Sequence, residues 1–144
     1  MSLKNLICNL NKSLTSKTNL QFVCNMVKDY NHSDWTLHAN NQPEDYEKKV
    51  IYKNNIYELI LISWDVNSNT DFHYHPENGC IMKVLSGNLL EYKLIPSRVD
   101  FNIQKNNFIK GDINFLSNTE FHKIHAVDVS HSLHLYSPPN FYDK

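Results

Sequence analysis

Apolar residues change their spacing once along this chain. Over the first third they recur every three or four positions, at Leu3, Leu6, Ile7, Leu10 and Leu14, then at Phe22, Val23, Met26 and Val27. That period lines one face of a helix and predicts two helices. "SDWTLHAN" (33–40) predicts a further short helical turn with Ser33 or Asp34 as its cap, and Pro43 breaks the pattern. From about Lys49 the apolar runs become short, rich in Ile, Val, Leu, Phe and Tyr, and bounded by Asn, Gly, Ser or Pro. "KVIYK", "IYELILISW", "DFHYH", "CIMKVLSGNLLEYKLI", "VDFNIQ", "DINFLS", "HKIHAV" and "SLHLYSP" all read as strands or strand pairs. "LSGNLLEY" reads as a tight hairpin through Ser86, Gly87 and Asn88. Closely spaced strands predict an antiparallel sandwich or barrel. Helices first and strands after predict one α+β or mainly-β domain over 1–144, helical to about residue 45 and β from about 46 to 139.

Charge changes this picture little. Fourteen Lys and Arg face fifteen Asp and Glu, mixed along the chain, for a net charge of −1. Nothing here favours nucleic acid or an anionic membrane as partner. No apolar run approaches the roughly 18 residues of a membrane span. The N-terminal "MSLKNLICNLNKSL" lacks the continuous apolar core of a signal peptide, so a cytoplasmic protein is expected. Three cysteines, Cys8, Cys24 and Cys80, are an odd number without a CxxC, which fits reduced thiols. Cys8 and Cys24 fall on helical apolar faces and are expected to be buried.

Candidate chemistry begins with "DFHYHPENGC" (71–80). On a strand, His73 and His75 share a face, about 6–7 Å apart along the chain, and both reach one metal ion. Imidazole serves Fe, Zn, Cu and Ni alike, so the pair does not choose the metal, and two ordinary histidines are the alternative. Near the other end, alternation in "SLHLYSPP" (132–139) puts Ser132, His134 and Tyr136 on one face and Leu133 and Leu135 on the other. Such a polar face either lines a polar pocket or belongs to an edge strand facing solvent.

Together these segments resemble a known family. "HYHPENGCIMKVLSG" resembles the first cupin motif, with Cys80 at the position usually held by Glu and Gly87 closing it. "GDINFLSNTEFHKIHA" resembles the second by spacing, beginning at Gly111 and placing His122 at the third-histidine position. With Cys80 and "SLHLYSPP" the chain resembles cysteine dioxygenase, the cupin-type thiol dioxygenase, from about Tyr46 to Pro139. The fold this implies is mainly β, a cupin double-stranded β-helix with N-terminal helices. The resemblance implies that His73, His75 and His122 bind ferrous iron, and that Cys80 and Tyr136 lie beside it, able to join in a thioether crosslink. His134 and Ser132 would orient Tyr136. The substrates implied are a small thiol and O2, the product a sulfinic acid.

The chain also departs from that family. "DYEKKVIY" aligns with a region where Tyr46 matches a tyrosine and Lys48 stands where an arginine grips the substrate carboxylate. Lysine keeps the charge and lacks the two-point fork. Arg98, the sole arginine, lies in an expected loop. Family members continue past "NFYDK" with more strands, so an opened pocket side or a sheet edge covered by a second subunit is expected, in a monomer or weak homo-oligomer. The alternatives to an active thiol dioxygenase are a non-catalytic, degenerate member that binds metal or a small ligand, and a cupin enzyme using Zn, Ni or Mn. His125, three residues after His122, is expected to be surface or structural, and His131 to be a ligand only if His122 is not. Trp64 matches a family position and is accounted for by core packing.

Overall fold

The computed structural model describes residues 1–143. Helix α1 (Leu3–Ser13) starts at Ser2, whose hydroxyl accepts the N–H of Asn5, and buries Leu3, Leu6 and Leu10. A 3-10 turn (Leu20–Val23) leads into the short α2 (Cys24–Lys28). The third helical segment is a 3-10 turn, Asp34–His38, and neither expected residue caps it with a side chain. The Asp34 carboxylate turns away instead, accepting the N–H of Leu3 at 2.8 Å and the hydroxyl of Tyr30 at 2.5 Å, and so caps α1 from a distance. Cys8 is exposed, against expectation. The stripe that packs inward is set by Leu3, Leu6, Leu10 and Leu14, and position 8 falls off it.

Eight strands follow: β1 (Tyr46–Lys53), β2 (Glu58–Trp64), β3 (Cys80–Ser86), β4 (Asn88–Pro96), β5 (Phe101–Ile109), β6 (Ile113–Leu116), β7 (Phe121–Ala126) and β8 (Ser130–Tyr136). They form a five-stranded sheet in the order β1-β2-β8-β3-β6 and a three-stranded sheet in the order β5-β4-β7. All pairings are antiparallel. The hairpin expected through Ser86, Gly87 and Asn88 does not form: β3 and β4 lie in different sheets, and the chain crosses from one to the other at Gly87, with φ +85°. A Cβ there would meet the Ser130 side chain at 2.1 Å, so only glycine fits.

The larger sheet has a core on each face. Leu59, Leu61, Ile81, Leu85, Leu133 and Leu135 point to the helices, against Leu6, Leu10 and Leu20. Ile60, Ile62, Trp64, Met82, Val84 and Tyr136 point inward, toward Leu89, Ile124 and Ala126 of the smaller sheet. That double coverage explains why β2 reads "ELILISW" without alternation, and every residue of it is buried. It also decides the position of β8. This strand is central, paired with β2 on one side and β3 on the other, and all seven of its residues are buried. The solvent-facing edge strand is thereby excluded, and the face carrying Ser132, His134 and Tyr136 lies inside.

"DFHYH" is not a strand of either sheet. Its contact with β7 is a single bridge, His73 to His122, with the two residues exchanging both backbone hydrogen bonds. Pro76 follows directly and has no N–H to extend a ladder.

Candidate metal centre

The bridge between residue 73 and β7 brings two distant histidine clusters together. Nε2 of His122 lies 2.9 Å from Nε2 of His75 and 3.0 Å from Nε2 of His73. His75 and His122 are buried and His73 is partly so. Each ring is fixed from behind by an acceptor. Nδ1 of His73 meets the carbonyl of Asp71 at 2.8 Å, and Nδ1 of His75 meets the carbonyl of Glu120 at 3.1 Å. Nδ1 of His122 meets a carboxylate oxygen of Glu91 at 2.7 Å. Carbonyls and carboxylates only accept, so each Nδ1 holds a proton and donates it. In the neutral rings the lone pair is then on Nε2. Burial and the neighbouring histidine pull His73 down to about 4 and His75 to about 3, so both are neutral at physiological pH.

Lone pairs converging at such separations repel unless a cation lies among them. The three nitrogens are the donor set of a metal site, and among the described residues this is the one group of three side chains so arranged. Outward hydrogen bonds from metal-bound imidazoles are the usual way such rings are oriented. The residues fit a metal ion.

Glu91 carries no signal of its own in the sequence. It lies on β4, fully buried, and also accepts from Asn106 at 3.0 Å and Asn114 at 2.7 Å. Burial alone would raise its pKa. The hydrogen bonds from His122 and Asn106 outweigh burial and hold it at about 2, so it is a carboxylate. A negative charge thus stands one imidazole away from the metal position.

The histidines open on a pocket of about 260 Å³, reached also by Cys80, Tyr136, Tyr46 and Lys48. Cys80 and Tyr136 are direct partners across β3 and β8. Burial pushes the Cys80 thiol and the Tyr136 phenol well up, so both are neutral. Behind Tyr136 runs a buried chain of hydrogen bonds. The Trp64 indole N–H donates to Ser132 Oγ at 2.8 Å, Ser132 Oγ lies 2.7 Å from His134 Nε2, and His134 Nδ1 lies 3.2 Å from the Tyr136 hydroxyl. Its direction follows from the chemistry. Indole only donates, and among the described residues His134 Nε2 is the one other partner of Ser132 Oγ, so the buried serine proton finds its acceptor there. Burial keeps His134 neutral, with its one proton on Nδ1, donated to the Tyr136 oxygen. The Tyr136 proton is left free to point into the pocket. Trp64 therefore does more than pack.

Tyr46 packs against Trp64 with the rings tilted and their centroids 5.1 Å apart. Lys48 sits at the pocket rim with its ammonium 4.7 Å from the centre of the Tyr142 ring. Nothing in the sequence points to Tyr142. It comes from the turn after β8 and lines the pocket too. His125 and His131 stay outside. His125 pairs with Asn69 at 2.8 Å, and buried His131 bonds Ser86 at 2.9 Å and packs at a tilt against Trp35.

A family model described as cysteine dioxygenase type I matches residues 2–143. The chain belongs to the cysteine dioxygenase family. It is 30% identical over 123 residues to cysteine dioxygenase type 1 of Rattus norvegicus, a match covering 76% of this chain and 59% of that protein. The Danio rerio protein of the same name is 28% identical over 153 residues, covering 96% of this chain and 75% of that one. The chain thus spans less than two thirds of the rat relative. Among solved structures, KdgF from Halomonas sp. superposes with a TM-score of 0.58 at 16% identity, over 73% of this chain and 91% of that one. A cupin superfamily protein of Desulfitobacterium hafniense gives 0.57 at 11% identity, over 68% and 82%. Such likenesses speak for the fold, and the fold is a cupin. The expected mainly-β barrel with N-terminal helices is what forms. For a cysteine dioxygenase family member, the three histidines are consistent with a metal-binding cupin site.

Proposed function

We propose that the protein is an iron(II)-dependent thiol dioxygenase, acting with O2 on L-cysteine or a similar small thiol to give the sulfinic acid. The observation that carries this reading is the three-histidine face sharing one pocket with the directed Trp64–Ser132–His134–Tyr136 chain. Iron(II) held by His73, His75 and His122 would bind the thiol as thiolate beside dioxygen and mediate the electron transfer between them. The chain's own residues do the rest. Three neutral imidazoles supply no charge, and Glu91, bonded to His122, supplies a negative one behind them. Tyr136, its oxygen already receiving the His134 proton, donates its own proton to whatever oxygen atom is bound in front of it. Cys80 stays a neutral thiol and does not compete with substrate for the metal. Its place opposite Tyr136 supports the thioether crosslink. Lys48 supplies the charge for a carboxylate, with Tyr46 beside it. The reduced cysteines support a cytoplasmic setting, and the contact of helices with the larger sheet supports one domain.

A non-catalytic metal-binding member is the second reading, and Lys48 in place of arginine is what favours it. Oxygen uptake by anaerobically iron-loaded protein, with cysteine, cysteamine and 3-mercaptopropionate in turn, separates the two. One thiol should consume O2 in a 1:1 ratio and gain two oxygen atoms by mass. Iron-loaded protein inert toward all three would favour the second reading.

A further inference from the structure

Tyr142 touches three parts of the pocket at once. The Lys48 ammonium lies over its ring, 4.7 Å from the centroid. Its edge meets the ring of His73 at 5.7 Å and that of Tyr136 at 5.2 Å. Its hydroxyl donates to the carbonyl of Tyr74 at 2.7 Å, between the two histidines of the HxH pair. The turn carrying it is tied down on both sides. The N–H of Asn140 donates to the buried Glu58 carboxylate at 2.9 Å, and Asp143 lies 3.7 Å from the Lys53 ammonium.

Lysine is a flexible four-carbon stem with a point charge, and holding its head in one place costs rotamer freedom. An aromatic face beneath the ammonium removes much of that freedom before any ligand arrives. Lys48 is the one cationic side chain among the described pocket residues whose charge does not depend on a histidine proton. We propose that Tyr142 is a positioning residue which holds Lys48 over the pocket mouth, and that the pair selects small thiols ending in a carboxylate over neutral or cationic ones. A point charge differs from a fork in what it tolerates. It distinguishes carboxylate from no carboxylate strongly, and carboxylate orientation weakly.

This rests on the reading of the histidine site as a thiol-binding metal centre, yet its test needs no turnover. Protein loaded with Co(II) is titrated without oxygen with 3-mercaptopropionate, 2-mercaptoethanol and cysteamine, following the cobalt absorption. The wild type should bind 3-mercaptopropionate at least about tenfold more tightly than the other two. Tyr142→Leu and Tyr142→Ala should shrink that ratio to about threefold or less. Tyr142→Phe, which keeps the ring, should retain most of it. Lys48→Gln should abolish it, and adding Tyr142→Leu to Lys48→Gln should change nothing further. A Tyr142 variant that weakens all three thiols equally overturns the proposal, as does cobalt protein that binds no thiol. Discrimination in the cobalt protein without sulfinate from the iron protein would sink the dioxygenase reading and leave this one standing.

Discussion

Glu91 accepts the Nδ1 proton of His122 at 2.7 Å, and both side chains are buried. The carboxylate fixes the ring and strengthens its Nε2 as a donor. Glu91→Gln keeps the shape and removes the charge. Affinity for Fe(II) or Co(II) should fall about 10- to 100-fold in competition with a chelator. A change of less than twofold would take the carboxylate out of this role.

The histidines also give the metal-free protein an acid dependence. His73 and His75 titrate near 4 and near 3 when folded, against 6.5 for an ordinary histidine. Below 6.5 the unfolded chain binds protons that the folded chain refuses. Stability is therefore full above about pH 6.5 and is lost as pH falls toward the folded values. Buried, neutral His134 adds to the same slope. Glu91, held near 2 against 4.5, adds its own only below about pH 4.5. The urea midpoint should be flat from pH 8 to 7 and fall from 6.5 to 4.5, less steeply in His75→Asn. Equal slopes would mean that His75 is not the group refusing the proton.

Much of this site is legible in the sequence because strand alternation is a local signal. Alternation alone puts Ser132, His134 and Tyr136 on one face, and the HxH spacing pairs His73 with His75 although their segment is not a ladder strand. Glu91 is illegible for the opposite reason. In "LLEYK" a carboxylate between Leu90 and Tyr92 reads as an outward residue of a half-wet strand. Only the β4–β7 register, with Lys93 opposite His122 and Glu91 opposite Ile124, turns it inward beside the ring. Tyr142 carries no periodic signal at all, since it reaches the pocket from a turn. The choice between an edge and a central place for β8 depends on β2 and β3, residues far away in sequence.

Lys83 shows the same dependence on distant partners, with a structural purpose. Its side chain leaves β3 toward the helices and is buried. The ammonium donates to the carbonyls of Val27 at 3.3 Å, Lys28 at 2.6 Å and Tyr30. These are the end of α2 and the residues after it, where carbonyls lack helical donors. Lys83→Met removes the charge and strands the carbonyls of Lys28 and Tyr30, while that of Val27 keeps the N–H of Tyr30 at 3.2 Å. A loss of about 2–3 kcal/mol in urea unfolding is expected, with metal affinity within twofold of wild type. A neutral outcome would show that water replaces the ammonium.

The direction of the chain behind Tyr136 is itself testable. If the Trp64 indole sets it, wild-type His134 carries its proton on Nδ1, and its nitrogen chemical shifts should identify that tautomer. Trp64→Phe removes the donor that occupies Ser132 Oγ and frees the serine hydroxyl to rotate. Ser132→Ala removes the donor to His134 Nε2 outright, and the ring should then populate both tautomers. With Nδ1 partly unprotonated, the Tyr136 proton turns back toward His134 and away from the pocket. Iron-loaded Ser132→Ala should therefore lose about 10- to 100-fold in kcat, with KM changed less, as expected when a positioned proton donor is lost. Trp64→Phe should lie between it and wild type. Wild-type shifts that place the His134 proton on Nε2 would reverse the chain and remove this account of Tyr136.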